Sequence, residues 1–435
     1  METDSLLAIS PIDGRYCDKT HELRQHFSER ALVYHRIFVE VAWLEKLKNV
    51  LQLNILTGTI RWIRDNFSLN YMQTIKELEK ETNHDVKAVE LFVKTHTAEE
   101  YKEFVHFGLT SEDVNNCAYA RMIRDGSFVL EREIHYINKR LARHSNNWKN
   151  ITMLARTHGQ PASPTTVGKE LNVFEIRLKK AMRRFTDIPI CAKLNGATGT
   201  LAALYVAYPD KNWRDISRQF IEELGFTLSD PTTQIEPQDY MVDLFDSIRH
   251  INNILIDLCR DFWGYIALDY FKQKVIPGEV GSSTMPHKVN PIDFENAEAN
   301  LGVANALLHL FSEKLPKSRW QRDLTNSSLL RNIGVAYAHS LIAYKAIHHG
   351  LEKLEINIEK IETDLDQNWV ILAEAIQTVM RKHRIPNAYT QLKEFTRGKQ
   401  TTKDMLHKFI QEMNIPDDDK MRLSKLTPST YIGYL

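Results

Sequence analysis

The sequence predicts an all-α protein built on unusually long helices, and two observations carry this expectation. The chain has 17 glycines and 14 prolines among 435 residues, well below the average combined share of about 12%, so there are few positions at which long elements can break. Apolar residues also recur at alternating spacings of four and three, the signature of one buried helical seam. Leu244, Ile248, Ile251, Leu255, Leu258, Phe262 and Tyr265 form one such seam. Val167, Leu171, Phe174, Leu178, Ala181 and Phe185 form a second, and Ala297, Leu301, Ala304, Leu308, Phe311 and Leu315 a third. Stripes this long need partners along their whole length, which predicts a bundle and favours an oligomer.

Taken in order, the first region mixes shorter helical segments with loops, for example the seam Val33, Ile37, Val41, Leu44 and Leu47. It is predicted as an N-terminal helical domain, residues 1–112. Thr110-Ser111-Glu112-Asp113 reads as a capping box that opens the next helix. From residue 113 to 364 the long stripes dominate, giving a central bundle domain with a distinctive loop at 278–291. The polar, proline-bearing stretch from Ser229 to Asp239 interrupts it. Residues 365–435, with Pro386, Pro416 and Pro428 between charged helices, are predicted as a small C-terminal helical domain. A chain of this length exceeds what a single core usually organises.

Lysine plus arginine and aspartate plus glutamate both number 56, for a formal net charge of zero. That balance supplies no sustained positive field for nucleic acid or anionic membranes, so neither is expected as a partner. Cys17, Cys117, Cys191 and Cys259 are far apart with no C-x-x-C pair, which fits a reducing cytosol better than a zinc or redox site. The start, Met1-Glu2-Thr3-Asp4, is acidic where a secretory leader would be basic, and no run approaches the roughly 18 apolar residues of a membrane span. A cytoplasmic, untargeted protein is expected. Neither a glycine-rich phosphate loop nor a cluster with metal-ligand spacing stands out, so no cofactor or metal is expected. The basic run Arg177, Lys179, Lys180, Arg183 and Arg184 lies on an amphipathic helix and reads as a solvated face.

The most informative segment is Gly281-Ser282-Ser283-Thr284-Met285-Pro286-His287-Lys288-Val289-Asn290-Pro291. Asn290 as N-cap and Pro291 at the first helical position place it at a helix N-terminus. Free amides, the helix dipole and Lys288 together favour an anion there, such as a substrate carboxylate. A Gly-Ser-Ser run alone is more often a linker; its Met-Pro-His-Lys-Val-Asn-Pro continuation reverses that reading.

This segment resembles the signature loop of the fumarase/aspartase superfamily, whose members eliminate fumarate from succinyl-bearing substrates. The Thr-Met-Pro-His-Lys-Val-Asn-Pro form resembles the branch that cleaves adenylosuccinate. The likeness extends to Ile9-Ser10-Pro11-Ile12-Asp13-Gly14-Arg15-Tyr16, to Thr82-Asn83-His84-Asp85-Val86-Lys87, to Thr110-Ser111-Glu112-Asp113 and to Arg156-Thr157-His158-Gly159-Gln160-Pro161-Ala162. It continues through Gln234 and Arg319-Trp320-Gln321-Arg322-Asp323 to Leu330-Arg331-Asn332. The resemblance implies a homotetramer whose core is a helical bundle, with each active site built from three chains. Relative to the family pattern the chain stops early, at Thr430-Tyr431-Ile432-Gly433-Tyr434-Leu435.

Eliminating fumarate from a succinyl-amine sets three tasks: removing a weakly acidic proton beside a carboxylate, holding the charge that develops, and protonating the departing nitrogen. By the resemblance, Ser282 is the base and Ser283 binds substrate, although spacing alone leaves the two hydroxyls open. A serine base needs its alkoxide stabilised by loop amides and Lys288. His158 is the candidate acid, because imidazole titrates near neutrality. Asn83, His84 and Asp85 are expected to line the nucleotide site, His84 near the phosphate or assisting the acid, although Asn83 or Asp85 also reads as a helix cap. Thr110 and Ser111 are expected to hold a succinyl carboxylate at a helix start. The resemblance further nominates Arg15, Tyr16, Gln234, Lys288, Val289, Asn290, Asn296, Arg322, Ser327 and Arg331 for phosphate and carboxylate binding. It implies purine nucleotide substrates, namely adenylosuccinate giving AMP and the succinyl-aminoimidazole-carboxamide ribotide giving its amide.

Two alternatives remain. The same mechanism serves another substrate in argininosuccinate lyase-like relatives, fumarase and aspartase, which usually carry a different residue where His287 stands. A non-catalytic helical scaffold is the other; loss of Ser282, His158 or Lys288 would favour it, and all three are present.

Overall fold

In the computed structural model, residues 5–276, 278, 285, 287–398 and 401–434 are described. Ser282 and Ser283 lie outside them. The fold is all-α. The main helices are α1 (Glu29–Val50), α2 (Leu69–Thr82), α3 (Asp85–Thr95), α4 (Ser111–Asn147), α5 (Val167–Thr186), α6 (Asp239–Ala267), α7 (Ile292–Lys314), α8 (Thr325–Leu330) and α9 (Ile333–Lys353). Short helices follow, α10 (Ile358–Asp366), α11 (Ala373–Lys382), α12 (Ala388–Thr396), α13 (Lys403–Glu412) and α14 (Asp417–Ser424).

The chain divides into two compact units. One comprises residues 1–135, 180–256 and 296–346; the other comprises 136–179, 257–295 and 347–435.

In the first unit, α1 explains itself by burying both of its faces. Val33, Ile37, Val41 and Leu44 pack with Ile75, Val89 and Phe92, while Val39, Trp43 and Leu47 pack with Val86, Val114, Trp213 and Phe220. A helix apolar all round is one surrounded by protein. Leu244, Ile248, Ile251 and Leu255 of α6, and Ala297, Leu301, Ala304, Leu308 and Phe311 of α7, are buried as their spacing predicts. The most enclosed element is α9, where Ile333, Ala336, Tyr337, Leu341, Ile342 and Tyr344 are all out of solvent. One polar rung crosses this core. The Asn252 amide donates to Asn305 Oδ1 (3.0 Å) and Ser340 Oγ (3.3 Å), and its oxygen accepts from Tyr344 OH (2.6 Å). A polar group this deep is tolerable because it is partnered on both sides.

In the second unit, Phe262 stacks on Phe294 at 5.2 Å, and Leu372, Ile376, Met380, Leu392, Leu406 and Ile410 form a separate core for α11 to α13. Across both units, the helical periodicity gave no hint of the eight strands of two or three residues found among the described residues. They are β1 (Thr152–Met153), β2 (Arg156–Thr157), β3 (Gln160–Pro161), β4 (Thr165–Thr166), β5 (Cys191–Ala192), β6 (Thr227–Leu228), β7 (Phe271–Gln273) and β8 (Leu354–Ile356). They pair as β1–β4, β2–β3, β5–β6 and β7–β8. These pairs satisfy the backbone where the chain passes between helices. No helix among the described residues is long and apolar enough to cross a membrane.

Candidate active site

Three clusters of motif residues assemble within the first unit. The first is built at the junction of α2 and α3. Asn83 takes a left-handed conformation (φ 49°) that ends α2, and His84 then caps α3, its Nδ1 accepting from the Lys87 amide at 3.1 Å. The cap expected at Asn83 or Asp85 is therefore supplied by the histidine between them, which leaves Asp85 free for ion pairing. Its Oδ2 meets Arg36 at 2.7 Å and Arg331 at 2.9 Å, and Arg331 reaches Glu29 at 2.6 Å. Burial pushes the Asp85 carboxyl up, but the neighbouring Arg36, the Val86 amide and Arg331 outweigh it and hold it below the usual range. Motif residues separated by 246 positions are thus tied by one carboxylate.

The second cluster opens α4. The Asp113 carboxylate accepts from the Thr110 amide at 2.9 Å, which is one arm of the expected capping box. It also accepts from Lys193 Nζ (2.8 Å) and from the Asn195 (2.9 Å) and Gly196 (3.1 Å) amides. Beside it, Glu112 is buried and lies 3.3 Å from Arg322. An ion pair ordinarily lowers a carboxyl pKa; here burial dominates over Arg322 and Lys193, and the Glu112 carboxyl is raised. Arg322 donates to Gln234 Oε1 at 3.1 Å, and the Gln234 amide donates to Ala197 O at 2.8 Å. Thr110 and Ser111 stand half-buried beside this network.

The third cluster joins the N-terminal segment to α7. Asn296 Nδ2 donates to Tyr16 OH at 3.0 Å, Asn300 Nδ2 donates to Asn296 O at 2.9 Å, and Asn300 Oδ1 is 2.9 Å from His339 Nδ1. Arg15 lies 5.9 Å from the Tyr16 ring centroid. Burial raises the Tyr16 phenol, yet hydrogen bonds from Asn296, Arg15 and Asn300 bring it below its ordinary value. Asn296 Oδ1 is buried without a partner. Ser327 is half-buried in α8 and its amide donates to Leu324 O at 3.2 Å.

In the second unit, His158 and Gly159 form the two-residue turn between β2 and β3, with φ values of 53° and 74°. Positive φ at both central positions is the hairpin geometry that matches strand twist. The imidazole is exposed at the tip. Lys288 and Val289 are exposed, and Asn290 is half-buried. Amides of Phe294 and Glu295 bond to Pro291 O, so Pro291 occupies the cap and α7 begins one residue later than the sequence suggests.

Glu29, Arg36, Glu112, Asp113 and Lys193 were not singled out as site residues by sequence reading, yet they anchor the nominated ones. Glu112 and Asp113 stood in a quoted motif; Lys193, isolated in an apolar stretch, gave no signal. Among the described residues, no group of three or more His, Cys, Asp or Glu is placed to hold a metal ion.

The long helices and the motif residues grouped on them belong to a chain that is similar to known lyases. A family model described as Lyase matches residues 14–305, and one described as Adenylosuccinate lyase C-terminal matches residues 318–432. Solved structures agree on the fold. A fumarate lyase from a Mesorhizobium species superposes with a TM-score of 0.80 at 18% identity, over 95% of each chain. A beta-carboxy-cis,cis-muconate cycloisomerase from Acinetobacter calcoaceticus gives 0.74 at 19%, again over 95% of each chain. Relatives named adenylosuccinate lyase are far more similar in sequence. Those of Buchnera aphidicola (49% identical), Haemophilus influenzae (47%) and Escherichia coli (46%) each align with 100% of this chain and 98% of their own length. The chain belongs to the adenylosuccinate lyase family.

Proposed function

We propose that this protein releases fumarate from adenylosuccinate, leaving AMP, and from the succinyl-aminoimidazole-carboxamide ribotide, leaving its amide. The observation that carries this reading is the alignment over 98% of the length of each of three relatives that bear the adenylosuccinate lyase name. Argininosuccinate-type chemistry is disfavoured by the same full-length match.

In the proposed reaction Ser282 removes the proton from the carbon beside the substrate carboxylate. The electron pair forms the fumarate double bond as the carbon–nitrogen bond breaks, and His158 delivers a proton to the departing nitrogen. Lys288, Val289 and Asn290, with Ser283, Thr110 and Ser111, hold the succinyl carboxylates near a helix start. Arg15, Tyr16, Asn83, His84, Asp85, Gln234, Asn296, Arg322, Ser327 and Arg331 bind the nucleotide. The exposed tip position of His158 supports a group that acts on substrate rather than in packing.

We also propose a cytoplasmic homotetramer in which subunits share active sites. Exposed apolar side chains on the long helices support it, among them Val173 and Ile176 of α5, Trp263 of α6 and Val303 and Leu310 of α7. Domain limits at 112/113 and 364/365 belong to the same reading; α4 opens at Ser111 and α10 closes at Asp366.

The test is to mix the purified protein with each substrate and follow fumarate, with Ser282→Ala and His158→Ala alongside. Turnover by wild type and its loss in both variants, each still folded, is the expected result. A wild type inert toward both substrates would overturn the proposal.

A further inference from the structure

A second group of cationic side chains lies in the first unit, apart from the three clusters. On α1, Arg36 turns to Asp85, whereas His35 turns to Arg121 of α4. The Arg121 Nε–H donates to His35 Nδ1 at 3.2 Å, which fixes the proton of the neutral imidazole on Nε2. Burial, then the nearby Arg121 charge, pushes this histidine down to about 3, so it stays neutral. His35 is only 3% exposed and its Nε2 is buried with no partner. The neutral ring therefore serves as an acceptor that orients the Arg121 side chain.

The charges around it are unbalanced. Arg121 lies over the Phe38 ring at 3.6 Å and, among the described residues, makes no ion pair. Arg30 bonds to Phe67 O and lies 5.6 Å from the Phe67 centroid, likewise with no carboxylate. Two acids line the same cavity as these cations, each paired with the arginine beside it, Asp65 with Arg64 (2.8 Å) and Asp125 with Arg124 (2.9 Å). Arg30, His35 and Arg121 line one cavity of about 450 Å³, with Tyr34 and Phe67 in its wall.

We infer that this cavity is an oxyanion site that takes a phosphate group between Arg30 and Arg121, which His35 backs from the wall. Guanidinium forks suit the tetrahedral oxygens of phosphate. The volume exceeds what a bare ion fills, and the aromatic wall suits an organic body, so a small phosphate monoester is the fitting ligand class. The site is independent of the reaction proposed above.

The test is titration calorimetry of the full-length protein with orthophosphate and with ribose 5-phosphate. Wild type is compared with Arg30→Gln, Arg121→Gln and Arg331→Gln, the last reporting on the candidate active site. A tungstate soak of wild-type crystals locates the ion. The expected result is a binding event weakened at least tenfold in Arg30→Gln and Arg121→Gln, retained in Arg331→Gln, with anomalous density beside His35. Tighter binding of ribose 5-phosphate assigns the ester; equal binding assigns the free ion to the same site. Arg121 packs on Phe38, so if that variant fails to fold, Arg30→Gln with its exposed guanidinium carries the comparison. The inference is overturned if only Arg331→Gln loses binding, if neither ligand saturates, or if a carboxylate of a second copy fills the cavity in the crystal.

Discussion

The Asp113 carboxylate and the Lys193 ammonium lie 2.8 Å apart with both side chains wholly withdrawn from solvent. Two charges so deep are stable only while each has the other, because the desolvation of an unpaired ion is not recovered elsewhere. The carboxylate also holds the amides of Thr110, Asn195 and Gly196, so one side chain fixes the start of α4 against the segment leading to Ala197 and Gln234. Asp113→Ala is expected to lower unfolding free energy by about 3–5 kcal/mol. Adding Lys193→Met should recover part of that loss. Urea denaturation of the single and double variants checks this, and a double variant no more stable than the single would refute the account.

A second pair, its carboxylate buried and its imidazole half-buried, gives a pH dependence. His106 Nδ1 lies 2.5 Å from Glu40 Oε1, and Glu40 is completely buried. Burial alone would depress the imidazole, but the hydrogen bond and charge of Glu40, with Glu90 and Asp113 further off, raise it above its ordinary value of 6.5. A raised folded pKa means that the contribution is fully present below about 6.5 and is lost as pH climbs through the folded value. His106 has φ 62°, a conformation asparagine tolerates. The stability advantage of wild type over His106→Asn should therefore be largest near pH 6 and shrink toward pH 9, as read from denaturation midpoints across that range. A flat difference would exclude the charged pair.

Tyr16 and Asn296 are 280 residues apart and joined by one 3.0 Å hydrogen bond. Asn296 Oδ1 already lacks a partner, so Tyr16→Phe leaves the amide without this acceptor as well. A loss of about 1 kcal/mol in stability is expected. Because both residues are proposed to face the nucleotide, KM for adenylosuccinate should rise severalfold while kcat changes less. Steady-state kinetics beside thermal denaturation separates the two effects.

The long helices were legible because burial on one stripe imposes a period of seven over several turns, and every residue of the α5 seam from Val167 to Phe185 is buried. Lys193 was not legible. Its neighbours Ala192 and Leu194 are core residues, and nothing local marks a lysine that pairs with a carboxylate 80 positions earlier. The His84 cap was missed for another reason. Asparagine and aspartate are the favoured caps, but Asn83 was needed in the left-handed region to end α2. The strand pairs are two or three residues long, too short for any alternation to register. Motifs thus named candidate residues, whereas their partners came only from the tertiary fold.

The turn that presents His158 provides a test of position without touching the imidazole. Gly159 has φ 74°, and a Cβ added there would meet nothing within 4 Å, so any cost of Gly159→Ala comes from backbone conformation alone. That cost is about 1 kcal/mol, enough to shift the β2–β3 turn toward other geometries and carry the histidine with it. Asparagine enters the left-handed region far more readily than alanine. Gly159→Asn should therefore keep most of the activity, while Gly159→Ala lowers kcat with little change in global stability. His158→Asn retains a residue suited to φ 53° and removes the acid, and it is expected to lose turnover while remaining folded. Single-turnover rates for the three variants decide the matter. Equal rates for Gly159→Ala and Gly159→Asn would show that the turn does not position the histidine, and full activity in His158→Asn would remove it from the chemistry.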